Sequence, residues 1–423
     1  MTEDFLYYIW QYKNYKQALQ TVDGKDITVL DVGIRNSDSG PDFSAAKVKI
    51  GDTIWHGNIE MHIKSSDWIK HGHDTDEAYD SVILHFVYEN DMDITTVGGN
   101  NLEVVEIKGN IKDGQYARYK ELIGGRSWIS CANQIKRVND LILYSWLDRL
   151  LIERLERKTE DIENSLKENN NNWEQTFYIH LARNFGFNTN ADAFEQLARK
   201  TPIEVLARYK DDVFQLEALL FGQSSLLNPS LNDKYSKELI NEYSFLKRKH
   251  NLEGVYSYQW KFLRMRPVNF PSIRISQFAS LINKSSHLFS LIIEFKKLGE
   301  LRELFNLSPS EYWNNHYVFG KKAKEIKKTF GDSSFDLILI NTIVPFLFVY
   351  ANHSGDEVLK QRALMFLQHT KAENNSIIKR FAQDGLIAHN AAQSQALLEL
   401  KNNYCKYQKC LQCAIGLQLI RGK

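Results

Sequence analysis

The chain has 423 residues, of which 43% are hydrophobic and 25% charged, and its net charge is +1. That length holds two or three domains, each large enough to bury a core of its own. The balanced charge excludes a chain that binds nucleic acid through bulk electrostatics, and leaves room only for a local basic patch.

The first residues, Met1-Thr2-Glu3-Asp4, lack the charge pattern of a signal peptide, so the expected location is cytoplasmic. Residues 2–20 read as a short amphipathic helix carrying Phe5, Leu6, Ile9, Trp10 and Tyr12. The pattern then changes to strands over 27–32, 45–50 and 53–64, with Gly51-Asp52 as the two-residue turn of a hairpin. Residues 81–88 are almost wholly apolar, as in a strand covered on both faces, and 102–107 close the series. Residues 74–80 supply a helical turn between strands.

After about residue 135 the character becomes helical. Leu143, Leu147, Leu150, Leu151 and Leu155 recur at helical spacing within 141–167, and Asn169-Asn170-Asn171-Asn172 separates this helix from one over 173–185. Further helices are predicted over 191–208, 212–222, 233–250, 274–298, 333–350, 355–370 and 376–402. Unequal spacing argues against a solenoid, and no run of about 18 apolar residues suggests a membrane span. The expected fold is α+β: a mixed α/β domain over 1–125, then a large all-helical domain over 126–423 that ends in a cysteine cluster.

Side chains alternate across a strand, which divides 53–64 into two faces. Trp55, Gly57, Ile59, Met61 and Ile63 form an apolar face; His56, Asn58, Glu60, His62 and Lys64 form a polar one. Asp42 stands at the start of the preceding strand, after Gly40-Pro41. Mg²⁺ or Mn²⁺ held by Asp42 and Glu60 would polarise a phosphoryl oxygen and acidify a bound water, with His62 or Lys64 as the activating group. The same alternation also describes the solvated side of an antiparallel strand. Five histidines, His56, His62, His71, His73 and His85, fall close together in sequence. If His71, His73 and His85 join His62, the ion becomes Zn²⁺ or Mn²⁺. His85, inside an apolar strand, is otherwise a core residue that needs a partner.

Pro41-Asp42 followed by Glu60-x-His62, with the hairpin and the later apolar strand, resembles the signature of the PD-(D/E)xK nuclease superfamily over about residues 27–90. His62 stands where that pattern has lysine, and Lys64 lies two residues on, on the same face. The resemblance implies Asp42 and Glu60 as metal ligands, His62 or Lys64 in the remaining role, and DNA or RNA as partner. The whole chain is also similar to an uncharacterised bacterial family of unknown function. That likeness rests on Ser39-Gly40-Pro41-Asp42-Phe43, Gly57-Asn58-Ile59-Glu60-Met61-His62, Ser66-Asp67-Trp68, His71-x-His73, Leu84-His85 and Arg266-Pro267-x-Asn269-Phe270-Pro271, and on the terminal cysteines. It brings no activity with it.

Cys405-x4-Cys410-x2-Cys413 makes most of a metal site, and Cys131 is the only candidate for a fourth thiolate. Four thiolates suffice for structural Zn²⁺ or a [4Fe-4S] cluster that clasps the C-terminus near residue 131; the alternative is buried thiols that bind nothing. The grouping resembles that of iron–sulfur nucleases of the same superfamily, although there the lone cysteine precedes the nuclease core. Finally, Lys261, Arg264, Arg266 and Arg274, interleaved with aromatics, suit either nucleic-acid contact or a structural interface. The leading expectation is a divalent-metal-dependent phosphodiesterase or nuclease. The competitor is a non-catalytic nucleic-acid- or protein-binding scaffold with a structural four-cysteine site.

Overall fold

In the computed structural model, which describes residues 1–36, 38–95, 99, 101–254 and 259–422, the alternating segments of the N-terminal third become a seven-stranded sheet. Its strands are β1 (Leu19–Gln20), β2 (Asp26–Asp31), β3 (Ile34–Arg35), β4 (Phe43–Ile50), β5 (Thr53–Lys64), β6 (Val82–Glu89) and β7 (Val104–Glu106). They run in the order β1-β2-β4-β5-β6-β7, and β3 pairs with β4. Pairing is antiparallel as far as β5, then parallel from β5 to β6 and from β6 to β7.

A parallel step needs a crossover. Between β5 and β6 it is made by the short helix α2 (Asp67–Lys70) and a 3₁₀ turn at Glu77–Tyr79. Helix α1 (Glu3–Gln11) contacts β5 and β6, with Trp10 against Phe86 at 5.4 Å between ring centres. Trp68 of α2 packs near His85 at 5.3 Å. The apolar β6 is therefore covered by side chains of both elements, as its composition predicts. Helix α1 is shorter than the predicted 2–20. Lys13 turns to φ +46°, and the buried Asn14 amide then ties Tyr8 to Gln115 at 2.6 and 2.7 Å.

The chain divides into two units. One comprises residues 1–146, 383–386 and 400–423; the other comprises 147–382 and 387–399. The first unit thus runs past residue 125, the expected limit of the α/β domain, and includes the cysteine-bearing C-terminal segment. Helix α3 (Gln115–Gly124), which the sequence pattern did not suggest, explains the return. The C-terminal helix, Ala414–Arg421, packs on α3, and Arg118 Nε donates to the Ile420 carbonyl at 2.7 Å. A contact spanning about 300 residues of chain leaves no periodic trace in sequence.

The second unit is helical. Its opening helix α4 (Asp140–Glu168) starts in the first unit and is followed by α5 (Trp173–Phe185), α6 (Phe187–Lys200) and α7 (Ile203–Ala207). Next come α8 (Val213–Gln223), α9 (Lys234–His250), α10 (Pro271–Lys284), α11 (Leu288–Glu294) and α12 (Leu298–Leu304). A small hairpin of β8 (His316–Val318) and β9 (Lys321–Lys322), which was not foreseen, precedes the remaining helices. Side-chain oxygens of Asn172, Asp212, Asp233 and Asp356 accept the first free N–H groups of their helices, which places those starts. The span predicted over 191–208 divides before Pro202, and that over 274–298 divides at Ser285.

Residues Asp332–Ser354 form one helical stretch that by length and composition alone is long and apolar enough to cross a membrane. Its apolar window is 78% buried within the unit, as in a helix that is hydrophobic all round and sits in a core.

Candidate metal centre

The polar row of β5 is not a solvated face. Glu60 is 5% exposed and His62 2%, while His56 and Lys64 at the ends of the row are open to water. The register explains the difference. The outer part of β5 pairs only with β4, whereas from Asn58 onward β6 lies alongside and sets His85 beside Glu60. Gly57 marks the point of closest approach. A Cβ there would stand 2.4 Å from Ile83 Cγ2 and 2.7 Å from the Ser81 carbonyl.

Asp42 reaches Glu60 through an irregularity in β4. The β4–β5 register shifts between Phe43 and Ala46, and the Ala45 N–H is taken up by Asn58 Oδ1 at 3.2 Å. Such bulges re-aim side chains near sites. The Asp42 N–H donates to Glu60 Oε2 at 3.1 Å, and Asp42 Oδ2 accepts the Met61 N–H at 2.9 Å. The Tyr7 hydroxyl, from α1, donates to the Asp42 carboxylate. Burial, then the neighbouring Asp42 charge, pushes the Glu60 carboxyl up to about 9. Burial likewise raises the pKa of Asp42. Two buried carboxyls side by side favour the protonated form unless a cation joins them.

The cation's other candidate ligands come from the crossover. Glu60 Oε1 lies 3.4 Å from His73 Nε2 and 3.6 Å from His62 Nε2. His62 Nε2 lies 3.0 Å from His71 Nδ1, and one ring nitrogen from each of His62, His71 and His73 falls within 4.8 Å of the others. Ligands about 2.1 Å from one ion stand roughly 3.0–3.4 Å apart along the edges of an octahedron or tetrahedron. The Glu60–His73, Glu60–His62 and His62–His71 separations lie in or close to that range. Trp68 and Tyr79 wall the group, and Tyr79 stacks on His73 at 3.7 Å between ring centres. Burial, then the two neighbouring histidines, holds His62 down to about 3, so it is a neutral imidazole, the form that ligates.

His85 is buried against His62. Its Nε2 sits 2.9 Å from His62 Nδ1, so with His62 Nε2 turned to an ion, the His62 Nδ1–H donates to His85. In that arrangement His85 would orient His62, a role usually filled by a carboxylate or carbonyl. Lys64 stands outside the group. It is exposed, and its ammonium lies 3.6 Å from Asp91, which also anchors Ser65 and Ser66. Tyr7 was missed by sequence reasoning, because a tyrosine on an amphipathic helix carries no signal of a carboxylate partner.

In the helical unit, Lys261, Arg264 and Arg266 are exposed. Arg274 is not part of that surface. It is buried, its guanidinium stacks on Phe187 and Phe330, and it donates to Asn269, Gln277 and Ser334 at 2.7–3.0 Å.

A family model described as "Protein of unknown function (DUF2851)" matches residues 3–376. No curated protein and no solved structure matches the chain.

Proposed function

Because the chain belongs to the DUF2851 family, a membership that carries no activity with it, we propose from its own residues a divalent-metal-dependent hydrolase that cleaves a phosphodiester of nucleic acid. The observation that carries this reading is Glu60 Oε1, a buried acid oxygen 3.4 and 3.6 Å from two imidazole nitrogens and backed by Asp42. A buried carboxylate without a cation is costly, and here an ion would meet its charge.

A bound ion would polarise a phosphoryl oxygen and lower the pKa of a coordinated water. Glu60, His62, His71 and His73 would hold it, with Asp42 beside them steadied by Tyr7 and the Met61 N–H. A donor set this rich in imidazole suits Mn²⁺ or Zn²⁺ better than Mg²⁺. Nucleic acid as substrate rests on the hairpin's likeness to the PD-(D/E)xK pattern. Lys64, paired with Asp91, favours the competing reading, a non-catalytic binding protein that keeps the ion for structure.

The test is incubation of the purified protein with single- and double-stranded DNA and RNA in Mg²⁺, Mn²⁺ or Zn²⁺. Cleavage that Glu60→Ala abolishes is the expected result. Cleavage that persists in that variant, or none with any ion and substrate, would overturn the proposal.

A further inference from the structure

The four cysteines are separated by as many as 282 positions (413 − 131), yet all four line one small, largely apolar cavity, with Ser130, Tyr404 and Lys409 beside them. None is in a disulfide. The thiol of Cys131 is buried and feels the charges of Cys405, Cys413 and Cys410, which together raise its pKa. From this convergence we infer that Cys131, Cys405, Cys410 and Cys413 form a four-thiolate metal centre, separate from the histidine group, for zinc or an iron–sulfur cluster.

The local backbone is built around the sulfurs. A π-turn over Leu400–Tyr404 and 3₁₀ turns at Cys405–Tyr407 and Cys410–Gln412 replace a continuous helix, so that the three C-terminal thiols reach the cavity from successive tight turns. Cys413 stands at the N-terminus of the final helix, Ala414–Arg421, where the N–H groups of Ile415 and Gly416 donate to its sulfur. N–H···S bonds of this kind stabilise a thiolate ligand and tune the metal it holds. Gly416 permits the arrangement, since a Cβ there would lie 2.1 Å from the Cys410 carbonyl oxygen. Ser130, next to Cys131, hydrogen-bonds Cys410. The cavity is small and largely apolar, and structural thiolate sites have four ligands and no open position.

Two readouts on the full chain test the assignment. Wild-type protein purified without oxygen, from cells supplied with iron and zinc, should carry at the cysteines about one zinc, colourless and counted beyond any held by the histidine group, or about four irons with a broad visible band. In that state all four thiols should resist alkylation, and they should react once the metal is removed by chelator. Cys410→Ser should lose this metal, and His73→Ala, which alters only the histidine group, should keep it. A chain with neither metal, or with thiols alkylated in the native state, would overturn the proposal without reference to any variant's folding. Retention of the metal by Cys410→Ser would also overturn it. Because the His73→Ala control separates the two sites, failure here leaves the hydrolase reading standing, and the reverse holds as well.

Discussion

Asp42 and Glu60 hold one another at the start of the β4–β5 pairing. The Asp42 N–H donates to Glu60 Oε2 at 3.1 Å, while the Asp42 carboxylate accepts the N–H of Met61, the residue after Glu60, at 2.9 Å. The reciprocity keeps two acids together in a place where burial disfavours both charges, and it makes the pair sensitive to protons and cations alike.

One consequence is a pH-dependent stability in the absence of metal. The Glu60 carboxyl is raised from 4.5 to about 9, so between those limits the folded state keeps a proton that the unfolded chain gives up. The contribution is complete below about pH 4.5 and is lost as pH rises through about 9. Urea unfolding in chelator should show wild type weakening over this range, and Glu60→Gln, which carries no charge, should weaken much less. Parallel curves for the two proteins would refute the assignment.

The same proton couples metal binding to pH. Displacing it from Glu60 should make the apparent affinity for Mn²⁺ or Zn²⁺ rise roughly tenfold per pH unit below about pH 9. His62, held down to about 3, has no proton to release in that range. Titration calorimetry in buffers of different ionisation enthalpy should report about one proton released per ion. An affinity independent of pH would mean that Glu60 is not a ligand.

His85 should matter to the ion without touching it. His85→Ala removes the partner of His62 Nδ1 and is expected to lower metal affinity about 10–100-fold, with Glu60 and His73 left in place. Equilibrium dialysis against a metal-buffered solution measures this. An unchanged affinity would show that the 2.9 Å contact does not orient the ligand.

Arg274 belongs to the helical core rather than to a binding surface. Arg274→Ala leaves Asn269, Gln277 and Ser334 without their donor and opens a space between Phe187 and Phe330, at a cost of about 3 kcal/mol in urea unfolding. The exposed Arg264 and Arg266, changed together to Ala, should shift stability by less than about 0.5 kcal/mol. Equal effects from the two changes would contradict the burial of Arg274.

Gly57→Ala tests the approach of β6 to β5. Its Cβ meets both a side chain and a backbone carbonyl below contact distance, so a loss of about 1–3 kcal/mol is expected in urea unfolding. A neutral substitution would imply that the β5–β6 pairing shifts freely near the site.

Much of this was legible in the linear chain. Period-two alternation marked the β4–β5 hairpin, and a 3.6-residue period marked the helices, because each element must turn one side to a core. Parity placed Glu60 and His62 on one face, and the spacing of Cys405, Cys410 and Cys413 suggested a shared ligand. These are local properties, set by backbone geometry within a dozen residues or so.

Tertiary structure alone decided the rest. Whether the polar face was solvated or buried depended on β6 lying parallel to β5 and on the crossover bringing His71 and His73 over it. Parity put Lys64 in line with Glu60, but the end of the strand delivers it to Asp91. The return of the C-terminal segment to α3, and with it the meeting of Cys131 and the other three cysteines, depends on contacts between residues nearly 300 positions apart. Periodicity cannot record such contacts, because it reports which way a side chain faces and not what it will meet.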